Sequence, residues 1–365
     1  MLAWQKLLDP ERDEELNSRL RDHFHDDSQS VAFDFPDLMR AFLNVSGEEF
    51  YNVLASTPRS AIDATDSIGR TTLAWAAWQG DEDAVKALLA CGADPNHKDT
   101  SGRTPLFMSL SAKGPKCLRL LLNAKADVDI RSNDGRIALA TAVELQDNTN
   151  FSELLLSHGA DVECRDKDTW TPLHLAAANN HPNQVSLLLG KGAGINASGS
   201  GGRTAFHFTI IHSSFAVLKI LLNNPGLDYE CKLDDGTTAI HLAACYSDLE
   251  TLEILQAANL SNIDPDAVDQ DGDTALDIAR WRRDHNGAWA DCMIEACDED
   301  PEAWYKAFKE LINSIRVSQG KDVLGDSESE YSTSPSGSSD SDVSEGSEDQ
   351  QDEENEGYDT AEEGD

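Results

Sequence analysis

Thr169-Trp-Thr-Pro-Leu-His-Leu-Ala-Ala177 is the fullest of seven returns of one pattern in a chain of 365 residues. The others begin at Gly69-Arg-Thr-Thr-Leu73, Gly102-Arg-Thr-Pro-Leu106, Gly135-Arg-Ile-Ala-Leu139, Gly202-Arg-Thr-Ala-Phe206, Gly236-Thr-Thr-Ala-Ile240 and Gly272-Asp-Thr-Ala-Leu276. Successive copies lie 33, 33, 34, 33, 34 and 36 residues apart. A second column follows downstream at Leu88-Leu89, Leu121-Leu122, Leu155-Leu156, Leu188-Leu189, Leu221-Leu222 and Ile254-Leu255. A third reads Gly92-Ala-Asp94, Ala126-Asp127, Gly159-Ala-Asp161 and Gly192-Ala-Gly194. Three columns in register define a repeat array, so length does not translate here into a count of globular domains.

Each position has a physical reason. Glycine supplies the positive φ of a tight turn. Three residues earlier, Asp66, Asp99, Asp166 and Asp269 are placed to close that turn through side-chain-to-backbone hydrogen bonds. The motif Thr suits a helix N-cap, and Pro105 or Pro172 the first helical position. Leu73, Ala76 and Ala77, then Val85, Leu88 and Leu89, follow at helical spacing. The unit is therefore turn, short helix, turn, short helix, and each helix buries its apolar face only by stacking on the neighbouring unit.

A period of this length carrying Gly-x-Thr-Pro-Leu-His-x-Ala and Gly-Ala-Asp resembles the ankyrin repeat family, most closely at Thr171-Pro-Leu-His-Leu-Ala-Ala177. The resemblance implies an all-α fold, an ankyrin-repeat solenoid of stacked helix-turn-helix units with β-hairpin-like turns. Five divisions are expected. An N-terminal segment, 1–30, holds a candidate helix at 9–25, and a worn capping repeat covers 31–65. Seven repeats fill 66–297. A capping helix at 298–317 opens at Asp300-Pro301, with Trp304, Phe308, Leu311 and Ile315 on one face. A disordered acidic tail takes 318–365. Departures from the pattern fall at Ile137-Ala138, at the loosened Ser198-Gly-Ser-Gly-Gly202 and around Asp264-Pro265-Asp266.

The formal net charge is −38, and Asp326 to Asp365 contains 16 acidic residues and no basic one. Such a chain is repelled by phosphate backbones and anionic bilayers, which argues against direct nucleic-acid or membrane binding. No apolar stretch is long enough to span a bilayer. The start lacks a secretory signal, and the seven scattered cysteines contain no CxxC pair, so a cytoplasmic or nuclear setting is expected.

Candidate chemistry is sparse, and no enzyme, cofactor or metal is expected. Asp269-Gln-Asp-Gly-Asp273 suggests a calcium loop, but the sixth position from Asp269 is Thr274 and the twelfth Arg280, where glycine and a bidentate acid are required. His174, His207 and His241 share a column, about 10 Å apart if the helices stack, too far to share one ion. The family resemblance implies instead that they hydrogen-bond between adjacent units. Gly199-Ser-Gly-Gly202 lacks the lysine of a phosphate loop.

The resemblance also implies that partners meet the concave face, formed by residues before the Thr and just after the first helix. Here those are Ile68, Arg70, Trp78, Gln79, Arg103, Arg136, Trp170, Asn179, Arg203, His212, Tyr246 and Trp281. Trp, Tyr and Arg are the types enriched at binding hot spots. Trp75 and Trp78 are not both expected in the core of so short a helix. Arg70, Arg103, Arg136 and Arg203 share one column and are expected to form a basic stripe. Ser327, Ser339, Ser344 and Ser347, beside acidic residues, are candidate phosphorylation sites. The expected function is a non-catalytic, monomeric adaptor or regulatory subunit for one or more proteins. Its rivals are a ligand or catalytic role in 1–65 or 281–317, and a nuclear role in which the tail engages a basic protein.

Overall fold

The computed structural model describes residues 36–44, 49–258, 260–285 and 300–325. The chain divides into two units, Met1–Asp326 and Ser327–Asp365. The second unit, and with it the tail serines, lies outside the described residues, as does the helix expected over 9–25.

Sixteen α-helices run through the described residues. Two short ones, α1 (Asp37–Phe42) and α2 (Phe50–Ser56), pair with each other, and α1 also packs on α3. Then come helix pairs at the repeat period: α3 (Thr72–Gln79) with α4 (Glu82–Ala90), α5 (Pro105–Met108) with α6 (Lys116–Asn123), and α7 (Ala138–Leu145) with α8 (Asn150–Ser157). They continue as α9 (Pro172–Ala178) with α10 (Pro182–Gly190), α11 (Ala205–Ile211) with α12 (Phe215–Leu222), and α13 (Ala239–Tyr246) with α14 (Leu249–Ala257). Last are α15 (Ala275–Asp284) and the long α16 (Pro301–Ser318). No strand occurs among the described residues; isolated antiparallel bridges at Thr65–Thr71, Ser198–Thr204 and Val268–Thr274 give the turns their hairpin character.

The first helices of successive repeats pack on one another from α3 to α15. Their short alanine-rich sequences allow this: Ala76, Ala77, Ala176, Ala177, Ala243 and Ala244 are fully buried, so the helices approach closely. Second helices form a parallel outer layer through Leu88, Leu121, Leu155, Leu188, Leu221 and Leu255, all buried. That layer thins at the third repeat, where α8 packs on α7 but barely meets α6 or α10. The loop after α7 reinforces this junction. Asp147 Oδ1 accepts the backbone N–H of Asn183 (2.9 Å) and Gln184 (3.1 Å), capping α10 of the next repeat. The buried Gln184 Nε2 donates to the carbonyls of Gln146 and Asn148.

The terminal helix packs on both α14 and α15, the place a second helix holds in the preceding repeats. It buries Trp304, Phe308, Leu311, Ile312 and Ile315. Trp304 Nε1 donates to Ser247 O (2.9 Å), and the Arg282 guanidinium lies 4.0 Å from the Trp304 ring centroid. At the other end, Gln319 Nε2 donates to Ser261 O and Ile263 O, while Lys321 bridges Asp264 (3.0 Å) and Asp266 (2.9 Å).

Candidate partner-binding site

Four of the seven turns that open repeats are built around one side-chain acceptor. Asp66 Oδ1 receives the N–H of Ile68 (3.0 Å) and Arg70 (2.8 Å), while Gly69 N–H bonds Asp66 O. Asp99, Asp166 and Asp269 repeat the arrangement. In the last of these the Asp269 Oδ1 suggested by the calcium pattern is engaged by its own turn, and no group of three His, Cys, Asp or Glu suited to a metal occurs among the described residues. Glycine at the turn is required by more than its φ. A Cβ on Gly69 would meet the backbone N of Thr100 at 3.1 Å, because the next turn stacks directly on it.

Turn stacks on turn through a backbone ladder. Thr100 N–H donates to Ile68 O, Asn133 to Ser101, Lys167 to Asp134, Asp234 to Gly201 and Gln270 to Asp235. Among the described residues the rung between the fourth and fifth turns is missing. There the glycine position holds Thr169, at φ +63°, and the indole of Trp170 lies 3.3 Å from where a Cβ on Gly199 would sit.

His174, His207 and His241 occupy the third helical position and close capping boxes. Each Nδ1 accepts the backbone N–H of its Thr, at 3.0, 3.1 and 3.2 Å. The geometry assigns the ring N–H to Nε2, which in His174 and His241 points at the carbonyls of Arg203 (3.1 Å) and Asp273 (3.2 Å) in the next turn. Burial pushes all three imidazoles below their ordinary pKa, His207 to about 4. They join repeats and are not surface ligands. In the seventh repeat Asp277 closes the box in place of histidine.

The twelve face residues divide three ways. Arg103, Asn179, Arg203 and His212 are exposed. Ile68, Arg70, Gln79, Arg136, Trp170, Tyr246 and Trp281 are half-buried. Trp78 is buried at 6% exposure, and the expectation that Trp75 and Trp78 do not both join the core is corrected. Their rings meet edge-to-face at 5.6 Å, and Trp75 Nε1 donates to Asp66 Oδ2 (2.9 Å), so both aromatics enter the core with the indole polar tip of Trp75 satisfied.

The basic stripe is corrected too. Arg70 pairs with Asp99 of the next turn (3.6 Å), and Arg136 with Glu144 (2.5 Å) and Asp166 (3.3 Å). Two of the four arginines are thus neutralised, and Arg103 and Arg203, the exposed ones, belong to the second and fifth turns. Sequence reading missed a second set. Lys98 Nζ donates to Arg131 O, Arg131 Nη1 to Arg165 O, and Arg165 Nη1 to Ser198 O, each crossing to the next turn. Recurrence one residue before the turn at Lys98, Arg131 and Arg165 was the available signal. Leu145, 55% exposed in the register of Asn179 and His212, was missed because it reads as one more helical leucine.

A family model described as ankyrin repeats in three copies matches 73–166 and 139–232, and a single ankyrin repeat matches 235–270, together more than half of the chain. The chain is an ankyrin-repeat protein. It is similar to the B-cell lymphoma 3 protein homolog of Mus musculus, at 34% identity over 40% of this chain and 34% of that one. Neurogenic locus notch homolog protein 1 of Mus musculus matches at 39% over 35% of this chain and 5% of its own. SH3 and multiple ankyrin repeat domains protein 2 of Homo sapiens matches at 30% over 44% and 9%. The chain therefore spans about a third of the first of these curated relatives and under a tenth of the other two. Among solved structures, the ankyrin repeat domain of Bcl-3, described as a member of the IkappaB protein family, aligns with a TM-score of 0.51 at 26% identity, covering 57% of this chain and 94% of that one. As an ankyrin-repeat array it belongs to an architecture defined by surfaces rather than by a catalytic centre. No helix among the described residues is long and apolar enough to cross a membrane.

Proposed function

We propose that this chain is a non-catalytic adaptor or regulatory subunit, holding partner proteins on its turn tips and inner-helix ends. One observation carries the reading. Most positions that close turns, cap helices and fill the core keep their residue types from repeat to repeat, with exceptions such as Ile137 and Thr169, while exposed positions at one register change: Leu145, Asn179 and His212 at the helix ends. A surface that varies on a constant frame is what a specific recognition face requires. The test is affinity purification from native extract with the full chain and a Leu145→Glu/His212→Glu double variant. Loss of partners from the double variant at an unchanged unfolding midpoint is expected; partners retained in full would sink this face as the binding surface. A cytoplasmic or nuclear setting and a monomeric state belong to the same proposal, the setting resting on the scattered cysteines.

The acidic run from Asp326 favours a second reading, in which the tail engages a basic protein and phosphorylation at Ser327, Ser339, Ser344 or Ser347 adds charge. Salt-sensitive binding that disappears on removal of the tail marks it. The cut belongs after Gly325, since Gln319 and Lys321 hold the loop at 261–266.

A further inference from the structure

At the junction of the fourth and fifth turns, three independent features coincide. The ladder rung is missing: Asp168 O and the N–H of Ser200 hold the positions that bond at every other junction, yet do not pair with each other. An aromatic ladder lies beside it. Half-buried Trp170 meets the Phe208 ring edge-on at 4.7 Å, and Phe208 stacks on the exposed His212 at 5.9 Å and 6°. The charge there is locally reversed for so acidic a chain. Arg165 lies across the junction, its Nη1 bonded to Thr169 O (2.9 Å) and Ser198 O (2.6 Å), and Arg203 stands exposed beyond it. Across 165–170 and 198–203 the cations are Arg165, Lys167 and Arg203; the carboxylates are Asp166, which faces Arg136, and Asp168. A β-branched residue at φ +63° is a strained way to build the fourth turn, and such outliers concentrate at functional sites.

We propose that this junction docks an extended segment of a partner protein carrying an apolar side chain beside a carboxylate. The apolar side chain packs on the accessible part of the Trp170 indole, which the buried Phe208 ring backs from below, the carboxylate meets Arg203 and Arg165, and the segment backbone takes the N–H of Ser200 that no turn carbonyl receives. The inference deepens the adaptor reading and rests on it, naming where one partner segment sits and what chemistry it carries.

The probe is a phage-displayed library of random dodecapeptides selected on the full chain. Enriched peptides are expected to pair an apolar residue with Asp or Glu. A synthetic copy of the strongest should lose at least tenfold in affinity on Arg203→Glu and on Trp170→Ala, and stay unchanged on Arg103→Glu at the distant second turn. Because Trp170→Ala also removes packing, Ser200→Pro, which deletes the backbone donor at the first position of a short helical turn, should weaken the same peptide while Ser200→Ala, which keeps that donor, should not. Amide exchange at Ser200 should slow when the peptide binds. No enriched peptide, a basic consensus, or binding indifferent to Arg203→Glu and Ser200→Pro overturns the junction as the site. Should native partners still depend on Leu145 and His212 in that case, the adaptor reading stands and this inference alone falls.

Discussion

Thr169 and Trp78 behave in opposite ways to what their neighbours in the pattern suggest. Six of the seven turns place glycine at φ between +75° and +86°, and the fourth holds a β-branched residue at +63°. Thr169→Gly should therefore raise the thermal midpoint, since about 1 kcal/mol of strain is relieved and only in part offset by the entropy of glycine in the unfolded chain. Trp78→Ala should cost about 3–5 kcal/mol as a core deletion, so lost binding in that variant would report unfolding rather than a contact. The histidine column gives a pH signature. The folded-state pKa of His207, about 4, lies below the unfolded value of about 6.5, so its contribution is full above pH 6.5 and is lost as the pH falls toward 4. The difference is worth about 3 kcal/mol. Urea midpoints should be flat above pH 6.5 and fall below it, with a shallower fall in His207→Gln; an equal fall in that variant would assign the acid sensitivity elsewhere. The turns and caps were legible because each is a local rule that returns along the array, and the histidine roles because the family resemblance implies them. Trp78 was not, since α3 is covered by α1 on one side and by α5 of the next repeat on the other, contacts that no helical spacing encodes. Nor were the ion pairs of Arg70 and Arg136, whose partners Asp99 and Asp166 sit about thirty residues away in the next turn.

At the level of elements, the third repeat is the thin point of the outer layer. Ile137 stands at the N-cap of α7, where Thr stands before most other first helices, and provides no side-chain cap. Its outer helix α8 has little contact with either neighbour, and Ser152 Oγ is buried without a hydrogen-bond partner. Asp147 is one of the groups that tie this repeat forward, since it caps α10 rather than its own α8. Asp147→Ala should cost about 1–2 kcal/mol, the usual range for a lost N-cap, and hydrogen exchange should quicken first in α8 and α10. Uniform quickening along the array would contradict this local role. The weak Ile137-Ala138 motif in the sequence marked the repeat as deviant, but the compensating cap is non-local and left no comparable mark.

Over the whole array, stability is the sum of repeat terms and nearest-neighbour interfaces, so the ends matter most. The final repeat is completed by α16 from across 286–299. Phe308→Ala should cost about 3–5 kcal/mol at that end, with exchange quickening in α13, α14 and α15 while α3 and α4 keep their protection. Cooperative loss of the whole array in that variant would show tighter coupling than the interfaces suggest. A helix that docks late has a meaning for the order in which the chain takes shape during synthesis. Earlier repeats find their stacking surface as soon as the next helix pair leaves the ribosome, but α13 to α15 wait for a segment that ends at Ser318, and until then Ser247 O lacks the Trp304 donor and Phe308 is not yet in place. A nascent chain halted shortly before that point exposes an unfinished apolar edge, which makes the last repeat the natural place for a chaperone to attend.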